Sequence, residues 1–523
     1  MGATQAWSRA QVAARILDGE SLLIYANLLI RVPPSWLNAH PGGDLAILHF
    51  LGRDATDEIQ AFHSDDTLKR IQKYSIGTVE HNWDPLVPPI ATGWVRKPGE
   101  NGKQQWYNEA KPVMSVVGTE LSPSSQILLV EREALLAPTL PNLVAPPSHL
   151  SLKVQAEHSA AYKVLHQQIR EAGLYQCRYL TGYGPEVLRY LLFASISAYA
   201  YSHNWMITSA VFLGLFWHQL TFTVHDLGHM GVTHNWTVDR LIGIVLADFL
   251  GGLSVGWWVD NHNVHHLVTN HPTHDPDIQH LPFFAISPVF AGSLWSSYYK
   301  RVMHFDRAAK FFIAIQHNIF YLVMAFARFN LYALSYAFLF RKAFDTRRAK
   351  GAGWSWALEV IGLAFFWTWF AAVLRGCGSW KMRLAYLAVS HVVTSPLHVQ
   401  IVLSHFSMST ADLGPTESFP HRQLRTTTDV RCPPRLAFAH GGLHLQVTHH
   451  LFPRLPRHNL RAASTLVRAF AKERGLVYAE FGFAEGNGEV RGVLRGVAEQ
   501  VAIVGRVAEA EVRGRVRAGA KPV

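Results

Sequence analysis

Histidine stands out among the residue types of this chain. There are 29 copies, many clustered at spacings that suit metal ligation. His225 and His229 lie four apart in His225-Asp-Leu-Gly-His229, which puts both imidazoles on one face of a helix. His262, His265 and His266 share a face in the same way, at i, i+3 and i+4. The third cluster, Gln446-Val-Thr-His449-His450, keeps that spacing with glutamine in the first place. A lone histidine on an apolar face is more often a satisfied core residue than a ligand. Three clusters with ligand spacing, each flanking an apolar run, are poorly explained that way. Imidazole suits Fe, Cu, Zn and Ni, so the ligand type leaves the metal open. Seven histidines and a glutamine exceed the needs of one tetrahedral zinc and suggest two ions. His398 and His405, seven apart and facing the same way, offer one more ligand. His405 is preferred because it stands nearer the membrane boundary. Asp226 is placed to accept an imidazole N–H and fix a ligand's tautomer, or else is a surface carboxylate near a helix end. His218, His234, His271, His274, His280, His440 and His444 read as solvated or structural.

The elements that must hold these residues follow from composition. Of 523 residues, 49% are hydrophobic and only 16% charged, against roughly 25% charged in an average soluble protein. This excludes a disordered chain and an ordinary cytosolic enzyme. A mean hydropathy of +0.07 is too low for a chain lying wholly in the bilayer, so soluble parts are joined to a membrane part. The net charge of +11 suits nucleic acid or an anionic membrane face. The apolar runs favour the membrane, and no nucleic-acid partner is expected. Cys177, Cys377 and Cys432 are too few and too far apart for a disulfide framework or a CxxC zinc site.

Residues 190–224 contain no Lys, Arg, Asp or Glu. As one helix they would measure roughly 52 Å, well beyond a hydrocarbon core of about 30 Å. Ser202-His203-Asn204 therefore splits them into two spans. A second pair is expected at 354–374 and 384–403. The apolar stretch 311–340 carries Arg328, Asn318 and Asn330. If the histidine clusters share one side of the membrane, it must lie in the interface or re-enter. Arg341, Lys342, Arg347, Arg348 and Lys350 mark the cytosolic side. The N-terminus shows no secretory signal. Residues 1–83 read as a small soluble α+β domain, 84–150 as a Pro-rich linker, 151–485 as the membrane domain, and 486–523 as an amphipathic tail with Val490, Leu494, Val497, Val501 and Val504 at helical spacing.

The blocks HPGGDLAILHFLGRDATDEI and His63, within residues 8–80, resemble cytochrome b5. The resemblance implies His40 and His63 as the axial ligands of haem b. With both axial positions filled the haem's task is electron transfer. Behind such a domain, an H-x3-H box, an H-x2-HH box and a Q-x2-HH box resemble the front-end desaturases of the membrane fatty acid desaturase superfamily. WWVDNHNVHHLVTNHPTHDPDIQHLPFF (257–284) and GGLHLQVTHHLFPRLPRHNLR (441–461) look like the fungal sphingolipid Δ8-desaturases. His444 and Thr448 stand where Gln and Glu are usual beside the third box, and Ile401, one turn before His405, is apolar.

The resemblance implies an α+β cytochrome b5-like haem domain fused to an all-α multi-span membrane domain. That domain would have about four transmembrane helices and a cytosolic helical cap. It implies two non-haem iron ions held by His225, His229, His262, His265, His266, His405, Gln446, His449 and His450, with O₂ as co-substrate. The expected reaction is a Δ8 double bond in the sphingoid base of ceramide or glucosylceramide. A front-end acyl-lipid desaturase (Δ5/Δ6-type) or a lipid hydroxylase is the alternative on the same scaffold. Two of the four electrons come from substrate C–H bonds. The haem domain delivers the other two, at an effective concentration raised by tethering. NADH-cytochrome b5 reductase is the expected donor, and the endoplasmic reticulum membrane, with haem domain and His boxes cytosolic, the expected location.

Overall fold

The computed structural model describes residues 5–80, 83–99, 103–110, 137–345 and 351–517. Arg347, Arg348 and Lys350 lie outside the described residues, as does 111–136 of the expected linker.

The N-terminal domain is built on a four-stranded sheet. Strands β1 (Ala6–Trp7), β2 (Ser21–Tyr25), β3 (Leu28–Val32) and β4 (Ser75–Val79) run in the order β1-β4-β3-β2. Ala26 and Asn27, both at positive φ, close the β2–β3 hairpin, as the primed two-residue turn requires. The sheet is covered on both faces. Leu22, Ile24 and Leu29 pack on Val12 and Ile16, while Leu23, Tyr25 and Ile30 pack on Ile47, Leu51 and Ile71. The second face carries the short helices that bear the candidate haem ligands.

The stretch after residue 83 is ordered at both described ends and belongs to this domain's core. Leu86 and Leu143 are buried beside Val12 and Ile16. A hairpin of β5 (Trp94–Pro98) and β6 (Gln104–Asn108) is tied back by Arg96 Nη1 to Gly19 O at 2.9 Å and by Trp106 Nε1 to Leu17 O at 2.8 Å. Strands this short, broken by proline, leave little periodicity to read.

Helices Gly184–Ser202 and Met206–Gly228 run antiparallel, with Ser197 bonded to Ser209 and Tyr190 to Thr223. Gly214 lets Met206–Gly228 approach Trp380–Val392: a Cβ there would lie 2.5 Å from Ser390 O, the small-residue packing of membrane helices. Among the described residues, four helices are long and apolar enough to cross a membrane: Met206–Gly228, Arg307–Ala325, Ala352–Gly376 and Trp380–Phe406. The number agrees with the sequence, but the membership differs. Gly184–Ser202, expected as the first span, is not among them, because Glu186, Arg189 and its tyrosines and serines dilute its apolar surface. Arg307–Ala325 is among them by length and composition, but convergence of the second and third histidine clusters requires an even number of crossings between them, which keeps the interfacial or re-entrant reading of this helix. The stretch 311–340 breaks at Phe326 into Arg307–Ala325 and Ala327–Phe344.

A bent pair, Trp236–Leu250 and Val255–Leu267, turns through 115° at Gly252, whose φ is +71°. The C-terminal helix Phe483–Arg517 lies along Arg307–Ala325. Its Val490, Leu494 and Val497 are buried with Ile313, Phe320 and Met324. Gln316 Nε2 donates to Leu494 O at 2.7 Å. Arg491, Arg495 and Glu499 face outward. The tail is thus part of the membrane domain's packing.

Candidate haem site and metal centre

His40 and His63 face each other with ring centroids 6.0 Å apart. His40 follows helix Pro34–Asn38, and its Nδ1 is 3.0 Å from Gly43 O. His63 caps helix Thr56–Phe62, with Nδ1 2.9 Å from Ile59 O. These carbonyls take the Nδ1 proton and leave both Nε2 lone pairs free, the usual support of a metal-bound imidazole. The gap admits one ion at metal–nitrogen bonds of about 2 Å. Burial lowers the pKa of His63 to about 4 and also lowers that of His40. Both rings therefore stay neutral and able to ligate.

The three histidine clusters converge between the ends of four helices. His225 lies in the last turn of Met206–Gly228, and His229 caps it. His262, His265 and His266 sit on Val255–Leu267, His405 on Ser395–Phe406, and His449 and His450 on Gln446–Leu451. Two groups consist of histidine alone, and a third set, His262, His265 and Asp277, links them. The ligand atoms of His225, His229, His262 and His449 lie within 4.8 Å of one another, and so do those of His265, His405 and His450. His266 stands between the groups. Its Nε2 is 3.2 Å from His262 Nε2 and 3.1 Å from His449 Nε2, and its ring stacks on His450 at 4.0 Å.

The Nδ1 atoms of His225, His262, His265, His450 and His405 look outward to a second layer of acceptors, whereas His266 Nδ1 is buried without a partner. Asp226 Oδ1 is 3.5 Å from His225, Asp277 Oδ2 3.6 Å from His262, and Asp275 Oδ2 2.9 Å from His265. Gln423 Oε1 is 3.0 Å from His450, and Thr426 O 3.3 Å from His405. With protons held there, the converging Nε2 atoms present lone pairs to one another, and His265 Nε2 lies 3.3 Å from His405 Nε2. The Nε2 atoms of His225, His229 and His450 are buried without a hydrogen-bond partner. Cations relieve both problems, and the two groups fit two imidazole-liking ions. Burial, with neighbouring imidazoles adding to it, holds His449 and His450 well below the usual histidine range.

Of the two histidines seven apart, His405 joins the cluster. His398 lies outside both groups and keeps a buried, unpartnered Nε2. Gln446 is buried at the start of the third-box helix, one turn before His449 and His450. Asp226 is buried rather than at the surface. It accepts from Tyr183 at 2.5 Å and faces Arg457 at 3.7 Å. Asp275, Asp277 and Gln423 escaped the sequence reading. The first two had a signal, since acidic residues follow the second box directly in His274-Asp-Pro-Asp277. Gln423 had none. His234 bonds Met230 O and Tyr175 O, a structural role.

Residues 202–482 match the family model "Fatty acid desaturase", and residues 10–80 match "Cytochrome b5-like Heme/Steroid binding domain". The chain belongs to the fatty acid desaturase family and carries a fused cytochrome b5-like domain. It is an oxidoreductase and a multi-pass membrane protein. It is 43% identical to the "Delta 8-(E)-sphingolipid desaturase" of Emericella nidulans, covering 95% of each chain. It is 42% identical to the protein of that name from Komagataella phaffii, covering 95% of this chain and 94% of the other. Identity to "Delta(8)-fatty-acid desaturase 2" of Arabidopsis thaliana is 30%, over 86% and 84%.

Proposed function

We propose that this enzyme introduces an E double bond at Δ8 of the sphingoid base of ceramide or glucosylceramide, using O₂. The observation that carries the reaction type is the pair of converging imidazole groups at the ends of apolar helices. Near-full-length likeness to Δ8-(E)-sphingolipid desaturases supports the position and the geometry.

His40 and His63 would hold haem b. His225, His229, His262 and His449 would hold one non-haem iron, and His265, His405 and His450 the other, with His266 between them and Gln446 beside the third box. Such an iron pair supplies the O₂-derived oxidant needed to remove hydrogen from an unactivated methylene. The chain's own groups do the rest. Asp275, Asp226, Gln423 and Thr426 hold the imidazoles in one tautomer, Asp277 adds a nearby negative charge beside His262, and the helix ends fix their direction. The haem domain passes in two outside electrons, one at a time, from an NADH-cytochrome b5 reductase. Arg341 and Lys342 support a cytosolic position for haem and metals by the positive-inside rule, in the endoplasmic reticulum membrane.

Expression in a yeast that lacks the activity, with mass spectrometry of hydrolysed lipids, tests this. A new Δ8-unsaturated sphingoid base is expected. A double bond confined to fatty acyl chains, or a hydroxylated product, would overturn the assignment in favour of the acyl-lipid or hydroxylase alternative.

A further inference from the structure

The haem domain is seated on the metal centre. Glu58 Oε1 accepts from Arg422 Nη2 at 2.8 Å, with both side chains buried. Ala61 is buried with Val447 and Leu451 of the third-box helix. His49 Nε2 lies 3.4 Å from Ser297 Oγ, which is 3.0 Å from His274 Nδ1. Within this interface one contact joins the two centres directly. Phe62, the residue before the candidate haem ligand His63, sets its ring edge-on to His266 with centroids 5.9 Å apart. The same ring packs with Phe50 and Ala55 of the haem domain and with Leu267, the neighbour of His266. Among the described residues the other interdomain ring contact, His49 with His274 at 4.6 Å, connects no haem ligand and no member of the imidazole groups.

We propose that Phe62 is the coupling residue through which electrons pass from the haem to the dinuclear centre, along the bonds from His63 and across the ring contact to His266. The inference rests on the functional reading above. In each passage one ferrous haem iron becomes ferric and one ferric iron of the pair becomes ferrous. The haem is re-reduced by an external one-electron donor, and two passages supply the electrons that the substrate does not. Tunnelling falls steeply with the gap between bonded paths. A π-ring that closes the gap between two ligands therefore governs the rate without altering either metal's ligands. Phe62 is in this sense a positioning residue.

Laser-flash photoreduction of the haem in the oxidised, iron-loaded full-length protein isolates the step without O₂ or lipid. The decay of the ferrous haem band reports transfer to the ferric pair. Phe62→Leu should slow that decay by at least an order of magnitude, while the haem spectrum and midpoint potential stay those of the wild type. Phe62→Tyr, which keeps the ring, should retain the wild-type rate. If Phe62→Leu loses its haem, Phe62→Met, which restores length without a ring, takes its place. Wild-type decay should also be independent of solvent viscosity, because the domain is already docked. An unchanged rate in the ring-less variant, or decay that slows with viscosity, overturns the coupling role. Absence of any decay in iron-loaded wild-type protein would instead overturn the functional reading beneath it.

Discussion

Asp275 is fully buried and grips its histidine closely, with Oδ2 2.9 Å from His265 Nδ1 and 2.7 Å from the amide of Asn270. Losing such an outer partner typically lowers metal affinity or activity about 10–100-fold. Asp275→Asn should therefore reduce non-haem iron content and product while leaving the haem spectrum unchanged. Iron analysis of the purified variant checks this, and full occupancy would show the carboxylate to be dispensable. Gln446 poses a different question. Glutamine offers a weaker, oxygen-based donor than imidazole, so Gln446→His should change activity markedly if it reaches the metal, as measured by product per unit of iron. A silent substitution would make it a neighbour only. At this scale the histidines were legible because i, i+3 and i+4 spacing survives folding. Gln423 was not, since it reaches His450 from a separate helix, Phe419–Thr426, across a sequence distance no periodicity records.

The element that most shapes the site is the bent pair ending in the second box. Gly252 takes φ +71°, and a Cβ there would lie 2.4 Å from the ring of Phe366. Gly252→Ala combines overpacking, about 1–3 kcal/mol, with a left-handed penalty of about 1–2 kcal/mol. A lower unfolding temperature in detergent and reduced non-haem iron are expected. A thermal melt at the wild-type temperature would show that the bend does not depend on this residue. The sequence revealed the turn at 203–205 through its polar trio, and it revealed the apolar runs themselves. Gly251-Gly252 marks the first break in the sequence but not its 115° angle, and the break at Phe326 falls in an apolar run with no Gly or Pro to announce it.

At the scale of the whole molecule, the two domains meet through buried contacts, where tether length alone led us to expect a raised local concentration. The contacts that seat the haem domain, Glu58 with Arg422 and Ala61 with Val447 and Leu451, come from residues hundreds of positions apart. No motif announces them. The candidate metal ligands stand on four separate helices of the other domain. His63→Ala should therefore abolish the haem spectrum and lower product severely in a host without free cytochrome b5, while non-haem iron stays near the wild-type level. Loss of both irons together would mean that the haem domain is required to build the metal centre.

On the proposed function, two imidazole groups hold two non-haem irons beside one haem. Quantifying haem and total iron in the purified full-length protein, with Mössbauer spectroscopy of iron-57-labelled material, tests it most directly. The predicted result is one haem and two non-haem irons per chain, the latter magnetically coupled. Haem iron alone, or zinc in place of the non-haem iron, would contradict it.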